Sequence, residues 1–123
     1  MLRPLAVTFA MPGTIAADAT FFFKAPCDLT LRAVSAAANN TATSTYINVG
    51  TKADPDGYLD NEAIGQDDTP TVWDLDDFDG DLVSNQGDDY PHITAGSIIA
   101  VGLDVGDGTD PVDPCIMLWF EEG

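Results

Sequence analysis

The chain has 123 residues, of which 45% are apolar, and a formal net charge of −17 from 21 acidic and four basic residues. The length predicts a single domain with its own hydrophobic core, and the apolar content excludes an acidic disordered chain. Duplex binding relies on Lys and Arg, and anionic membranes attract basic segments, so the charge excludes both nucleic acid and a membrane surface as partners.

The charge is distributed unevenly along the chain. All four basic residues precede residue 53, whereas 19 of the 21 acids follow it, and 18 of the acids are Asp. Asp favours turns because its side chain bonds the nearby backbone. The charge either keeps the protein in solution or builds local cation sites. We expect an exposed acidic loop face, with the base-bearing early segment nearer a contact surface. The two halves of a sandwich interleave, so the charge split along the chain need not survive as two charged ends.

Short apolar runs separated by Gly, Pro, Asp and Asn predict an all-β fold, an antiparallel β-sandwich or barrel of about eight strands. Residues 1–15 form an N-terminal arm or first strand, and residues 16–123 form the single β-sandwich domain. In chain order the predicted strands are 5–9, 19–25, 29–36, 44–50, 71–75, 81–84, 97–104 and 115–121.

Alternation of apolar and polar residues predicts which side chains face the core. The residues predicted to share one face of a strand are Leu29, Leu31 and Ala33; Thr45, Ile47 and Val49; Ile99, Val101 and Leu103; and Ile116, Leu118 and Phe120. The last row is assigned to the core because the opposite row ends in the carboxylate of Glu121.

Two runs, residues 21–23 and 116–120, are apolar on both faces. A strand covered on both faces needs a second layer, which a neighbouring subunit, a scaffold surface or a folded-back N-terminal arm would supply. The pattern indicates assembly as a homo-oligomer. The interface candidates are Leu5, Val7, Phe9, Phe22, Met117 and Trp119.

An Asp cluster at residues 74–81 suggests a calcium site, because Ca²⁺ takes six to eight oxygen ligands. Its candidate ligands are Asp74, Asp76, Asp77, Asp79 and Asp81. The helix-loop-helix template fails, since placing Gly80 at its sixth position puts Leu75 at the first. A second set, Asp104, Asp107, Asp110 and Asp113, is an alternative. Solvated turns without a cation explain the same residues, and no cofactor is predicted.

The sequence contains no recognisable catalytic motif. His92 is the single histidine, and Ser97 lacks the Gly-x-Ser-x-Gly setting that exposes a nucleophile. Cys27 and Cys115 both open apolar runs, which predicts buried reduced thiols rather than a disulfide framework. We therefore predict that the chain is not an enzyme.

Trp and Tyr residues offer a different function. Exposed aromatic rings near Asp and Asn bind sugars on β-sandwiches, and the alternative is that the rings belong to the core or an interface. The candidates are Tyr46, Tyr58, Trp73, Tyr90 and Trp119.

No run reaches the roughly 18 apolar residues of a membrane span, and residues 5–11 are too short for a convincing signal peptide. We therefore expect a protein made in the cytoplasm and not secreted.

The order of segments resembles small jelly-roll or β-sandwich proteins that decorate the capsid exterior of tailed bacteriophages. The resemblance rests on five segments, namely the Phe-rich run 19–25, residues 29–35, the run 46–50 with Asp60 and Asn61, the Ala-Gly-Ser-Ile turn in 94–99 and the closing apolar strand. It implies a jelly-roll-like fold and a non-enzymatic cement protein on the virion surface, with the major capsid protein and itself as partners. The alternative is a carbohydrate-binding module, with or without calcium, on a phage capsid or tail.

Overall fold

The computed structural model describes residues 3–74, 77–78 and 90–123. Nine β-strands lie in this part of the chain, and they form two antiparallel sheets packed face to face. The strands are β1 (Pro4–Ala10), β2 (Ala19–Lys24), β3 (Leu29–Ala37), β4 (Thr45–Thr51), β5 (Leu59–Ala63), β6 (Thr71–Trp73), β7 (His92–Ile93), β8 (Ile98–Val105) and β9 (Cys115–Glu122).

The strand order is that of a jelly roll. Sheet I has the order β1-β9-β3-β6, with the short β7 also paired to β3, and sheet II has the order β2-β8-β4-β5. With β7 set aside, the first strand pairs with the last, the second with the second-last, and so on inward to β4 and β5. A long hairpin rolled over on itself gives this nesting, so the predicted all-β, jelly-roll-like sandwich is confirmed.

The core lies between the sheets and follows the predicted alternation. The β9 row is buried as expected, and the rows grouped on one face of β4 and of β8 are buried with it. All nine residues are at most 2% exposed, namely Thr45, Ile47, Val49, Ile99, Val101, Leu103, Ile116, Leu118 and Phe120. Aromatic rings join the two sheets, since Phe9 stacks on Phe21 with ring centroids 4.8 Å apart and Phe23 meets Phe120 at 5.8 Å.

A β-bulge at Arg32 corrects the predicted face of β3. Leu31 pairs with Phe120, but Ala33 already pairs with Trp119, so Arg32 is an extra residue in the ladder. An extra residue reverses the alternation beyond it. Ala33 therefore faces outward instead of sharing the face of Leu29 and Leu31 as predicted, and Val34, which is 0% exposed, takes the inward place.

Two strands were not predicted, and one predicted strand cannot be compared. Strand β5 carries Asp60, Asn61 and Glu62, which are polar at consecutive positions and show no alternation. Strand β7 has only two residues. The predicted strand 81–84 and the hairpin at Asp79-Gly80 lie outside the described residues.

Residues of the N-terminal arm form β1, which is the edge strand of sheet I and pairs with β9 along its whole length. The two cysteines are free and half-buried rather than fully buried. Cys115 opens β9 opposite Ala37, whereas Cys27 precedes Leu29, which pairs near the far end of β9. At about 3.3 Å per residue the two thiols are separated by roughly the full length of that strand, too far for a disulfide. Among the described residues, no helix is long and apolar enough to cross a membrane.

Candidate functional site: two outer sheet faces

The outer face of sheet I carries no charged side chain over most of its area. Its residues alternate with the buried rows of β1, β3 and β9, and their cross-strand pairs place them side by side. We call this the uncharged face, formed by Ala6, Thr8, Ala10, Ala33, Ser35, Ala37, Val72, Cys115, Met117 and Trp119.

Three features make the uncharged face unusual on this molecule. Val72 is 56% exposed and Trp119 is 37% exposed, and both are large apolar side chains. The surrounding residues are Ala, Ser, Thr, Cys and Met, which leave the sheet surface low. Elsewhere the chain has a net charge of −17. A surface without carboxylates is where another protein can approach with the least desolvation and repulsion.

At one border of the uncharged face, the charged side chain of Arg32 contacts two partners. Arg32, at the bulge, lies 3.8 Å from the Glu121 carboxylate, and its guanidinium lies 4.0 Å from the centre of the Tyr90 ring. The bulge turns Arg32 toward these partners, so its charge is held at the border of the face.

The outer face of sheet II contains a groove with a volume of about 280 Å³. Its floor is Ala100 and Gly102 of the central strand β8, and its walls are Thr20, Asn48, Pro55 and Asp56. The neighbouring strands supply Thr20 and Asn48 directly opposite Gly102. Phe22 pairs with Ala100 and is 58% exposed, so its ring stands beside the floor of the groove.

The six interface candidates from the sequence do not lie on one surface. Met117 and Trp119 are on the outer face of sheet I, and Phe22 is on the outer face of sheet II. The β1 residues Leu5, Val7 and Phe9 point inward and are half-buried against the core. A single flat partner therefore contacts either Trp119 or Phe22, not both.

The predicted aromatic platform for sugars is not assembled. Trp73 and Tyr58 are 5% and 3% exposed and belong to the core, so burial contradicts an exposed role for either ring. Tyr46 is half-buried on β4 of sheet II, whereas Tyr90 is half-buried outside the strands, against Arg32 and Phe78. The exposed ring beside the groove is Phe22, which the sequence presented only as one member of an apolar run.

The calcium candidates at residues 74–81 are only partly described. Asp74 and Asp77 are exposed, and the Asp77 carboxylate accepts a hydrogen bond of 3.0 Å from the Asp74 backbone N–H. Asp76, Asp79 and Asp81 lie outside the described residues. Within the described ranges no group of three or more His, Cys, Asp or Glu residues is placed to hold a metal ion. Calcium binding stays a prediction.

Charge is distributed unevenly along the long axis of the sandwich. One end carries acidic residues alone, and the other carries all four basic residues together with carboxylates such as Asp28, Glu121 and Glu122. The acidic end consists of the loops 11–18, 38–44, 64–70 and 106–114, which contain Asp18, Asp67, Asp68, Asp107, Asp110 and Asp113 and no basic residue. All four bases lie at the opposite end, where Arg3 adjoins Glu122, Arg32 adjoins Glu121, and Lys24 and Lys52 both adjoin Ile98.

Carboxylates at the acidic end mostly hold loops together. Asp113 accepts hydrogen bonds from the Gly13 backbone N–H at 2.6 Å and from the Asn39 amide at 3.0 Å. Both Asp67 oxygens accept from the Thr41 hydroxyl. These bonds join one loop to another and account for Asp67 and Asp113 without a cation.

Asp104, at the end of β8 near these loops, has a pKa above its ordinary value. Partial burial is the main cause, followed by the charge of Asp18 and a hydrogen bond with Asp18. The negative charge of Asp18 therefore makes ionisation of Asp104 less favourable. Asp104 lies two residues beyond Gly102, so this carboxylate pair is close to the groove.

The single histidine gives no catalytic arrangement with Ser97. His92 is exposed on β7 and pairs with Thr30, whereas the Ser97 backbone bonds Ala25 and Thr94 at the start of β8.

No family model matches the chain, and no curated protein matches it. A solved structure that the chain is similar to is a chain of the cyanophage Pam1 capsid asymmetric unit, with a TM-score of 0.54 and 14% sequence identity over 99% of this chain and 85% of that chain. The likeness covers both sheets and shows that this jelly roll has the fold of a phage capsid component.

Proposed function

We propose that the protein is a structural component of a phage capsid that decorates the capsid exterior and docks through the uncharged face of sheet I. The observation that carries the proposal is a face without charged side chains on a molecule with a net charge of −17. The fold shared with a chain of a phage capsid asymmetric unit supports it, as does the use of jelly rolls in viral capsids. The proposed partners are the major capsid protein and further copies of the chain.

Charge gives the proposed orientation. Docking through sheet I puts the acidic end beside the contact rather than in it, so few carboxylates lose water. Trp119 and Met117 then bury their apolar surface against the capsid, where exposed apolar side chains gain most from leaving water. The groove of sheet II points away from the capsid, because the two outer faces of a sandwich are on opposite sides.

The size of the uncharged face sets how the contact works. Four strands spaced by about 4.8 Å and seven residues of about 3.3 Å each give roughly 400 Å². A specific contact between two proteins buries about 800 Å² on each partner. We therefore expect weak binding to a free capsid subunit and strong binding to an assembled lattice, where a dimer or trimer engages several subunits at once.

Two exposed aromatic residues on opposite sheets give a matched test. Capsids that lack the protein, taken from the virus that encodes it, are sedimented with wild type, Trp119→Lys or Phe22→Lys. We expect Trp119→Lys to abolish co-sedimentation and Phe22→Lys to leave it unchanged. Loss of binding with Phe22→Lys alone assigns the contact to sheet II, and a wild type that does not sediment with capsids ends the proposal.

The two free cysteines provide a second readout without mutation. Cys115 is on the uncharged face and Cys27 is not, and both are half-buried. Iodoacetamide labelling before and after capsid binding should show protection of Cys115 with little change at Cys27. Equal protection of both thiols, or protection of Cys27 alone, contradicts docking through sheet I.

A further inference from the structure

We infer that the groove on the outer face of sheet II is a binding site for a neutral saccharide. The inference is independent of the capsid role, since it concerns the opposite face of the sandwich. It rests on one residue that the fold does not explain, on the polar groups around that residue, and on the exposed ring beside it.

Gly102 is the residue that the fold does not explain. It occupies the middle of the central strand β8, where a glycine weakens a strand and often marks close approach by a ligand or another backbone. Within the part of the chain that the structure describes, no backbone makes that approach, because a Cβ added to Gly102 would meet nothing nearer than Asn48, at 3.9 Å. That distance is ordinary van der Waals contact, so the sheet itself has room for a side chain.

Gly50, on the adjacent strand of the same sheet, shows the contrast. A Cβ on Gly50 would collide with the Asp54 carbonyl oxygen and would lie 2.7 Å from the Gly57 backbone nitrogen. The turn that follows β4 therefore requires glycine at position 50. At position 102 the space above the Cα is open, and it forms the floor of the groove.

The polar groups of the groove suit sugar hydroxyls. Asn48 Oδ1 accepts a hydrogen bond of 2.7 Å from the Asn61 backbone N–H, which fixes the amide and makes its NH₂ group the part that can donate to a ligand. Thr20 opposite offers a hydroxyl, and Asp56 on the rim offers carboxylate oxygens as acceptors. Donors and acceptors therefore converge on the floor at Gly102.

Phe22 supplies the apolar element of the site. Directly paired residues on neighbouring antiparallel strands have Cβ atoms about 4.5–5.5 Å apart, so the Phe22 ring adjoins Ala100 at the groove floor. An exposed ring of this kind covers the C–H face of a sugar while the polar groups bind its hydroxyls. The ring is 58% exposed and does not belong to the core formed by the described residues, so core packing does not explain a Phe here.

Charge and volume limit the ligand. Asp56 on the rim and the Asp18–Asp104 pair beyond Gly102 repel anions, which excludes sialylated and sulfated sugars. Ligand pockets start at about 300 Å³, and the groove has about 280 Å³. A volume just below this range limits the ligand to one sugar ring, or to one ring of a longer neutral oligosaccharide that extends out of the open groove.

The test uses the full chain on a printed array of neutral, amino, sialylated and sulfated glycans, followed by titration calorimetry with the best neutral oligosaccharide. We expect wild type to bind neutral glycans with and without EDTA. Asn48→Ala or Phe22→Ser should each reduce the affinity roughly tenfold, the effect of losing about 1.4 kcal/mol. Val72→Thr, an exposed change on the opposite sheet, should leave sugar binding unchanged.

Gly102→Val separates binding from folding. Valine favours strands and would occupy the groove floor, so this variant should keep or raise the melting temperature while sugar binding is lost. Four results would overturn the inference. They are no neutral glycan bound by wild type, binding confined to anionic glycans, binding abolished by EDTA, and unchanged binding by a folded Gly102→Val variant. Each of them leaves the capsid experiments unaffected.

Discussion

Substituting alanine for two glycines in adjacent strands tests the reasoning about both the turn and the groove. In Gly50→Ala, the new methyl group would overlap the Asp54 carbonyl oxygen. That oxygen accepts hydrogen bonds from the Thr51 and Gly57 backbone N–H groups at 3.0 and 3.1 Å. The methyl can be accommodated only if the turn moves and both bonds weaken.

The magnitude for Gly50→Ala follows from these contacts. Two backbone hydrogen bonds contribute about 1 kcal/mol each, and overpacking costs about 1–3 kcal/mol. We therefore expect the free energy of unfolding to fall by roughly 3–5 kcal/mol. At about 3–5 °C per kcal/mol for a domain of this size, the melting temperature should fall by at least roughly 10 °C.

Gly102→Ala is the matched control and should act in the opposite direction. Its methyl meets Asn48 at an ordinary 3.9 Å, and alanine is better than glycine within a strand by about 0.5–1 kcal/mol. Urea denaturation followed by tryptophan fluorescence and by far-UV circular dichroism measures both variants. A loss below about 0.5 kcal/mol for Gly50→Ala refutes the close approach in the turn, and a clear loss for Gly102→Ala refutes the open floor of the groove.

Two further changes test the acidic end. Asn40→Ala removes two side-chain hydrogen bonds to the 110–112 loop, of 3.0 and 2.9 Å, and should cost about 2 kcal/mol in the free energy of unfolding. Asn39→Ala removes one exposed side-chain hydrogen bond and should lower the free energy of unfolding by less than half as much. Equal losses for the two variants in urea denaturation would contradict a larger contribution from the Asn40 hydrogen bonds. Asp104 has a folded-state pKa above its ordinary value because of partial burial and the neighbouring Asp18, so the folded state holds this proton more tightly than the unfolded state does. Protonated Asp104 therefore stabilises the folded state relative to ionised Asp104. This stabilisation is fully present below the unfolded pKa near 4, and it is lost as the pH rises through the raised pKa of the folded state. Asp104→Asn should unfold at a higher temperature than wild type at pH 7, and the difference should shrink below about pH 4. A difference independent of pH would show that the carboxylate charge is not the cause.

Alternation in the sequence was sufficient for most of the sandwich. Ile47 and Val49, or Leu118 and Phe120, lie two residues apart, and successive side chains in a strand point to opposite faces. The residues that share a face of β4, β8 or β9 could therefore be grouped without knowing their neighbours, and the β9 group could be assigned to the core. The Arg32 bulge could not, because an extra residue is visible only against the partner strand, where Leu31 and Ala33 meet consecutive residues of β9.

The candidate sites could be predicted from the sequence even less well, because they too depend on which strands become neighbours. In the sequence, Gly102 is one of 11 glycines and Asn48 lies in an apolar run. Only the pairing of β2, β8 and β4 places Thr20, Gly102 and Asn48 in one row. Phe22 and Trp119 looked equivalent as outward aromatics, and the fold places them on opposite faces.

The sequence by itself determined that the chain folds as an acidic, all-β domain with its Asp residues in turns, because alternation and turn chemistry act between residues close in the chain. The tertiary structure alone decided where charge is absent and where it collects. The uncharged face joins β1, β3, β6 and β9, which are far apart in sequence. The bases gather at one end because the ends of the strands in or beside which they lie meet at the same side of the sandwich. Such surfaces depend on which strands become neighbours, and that is set by the packing of the whole core.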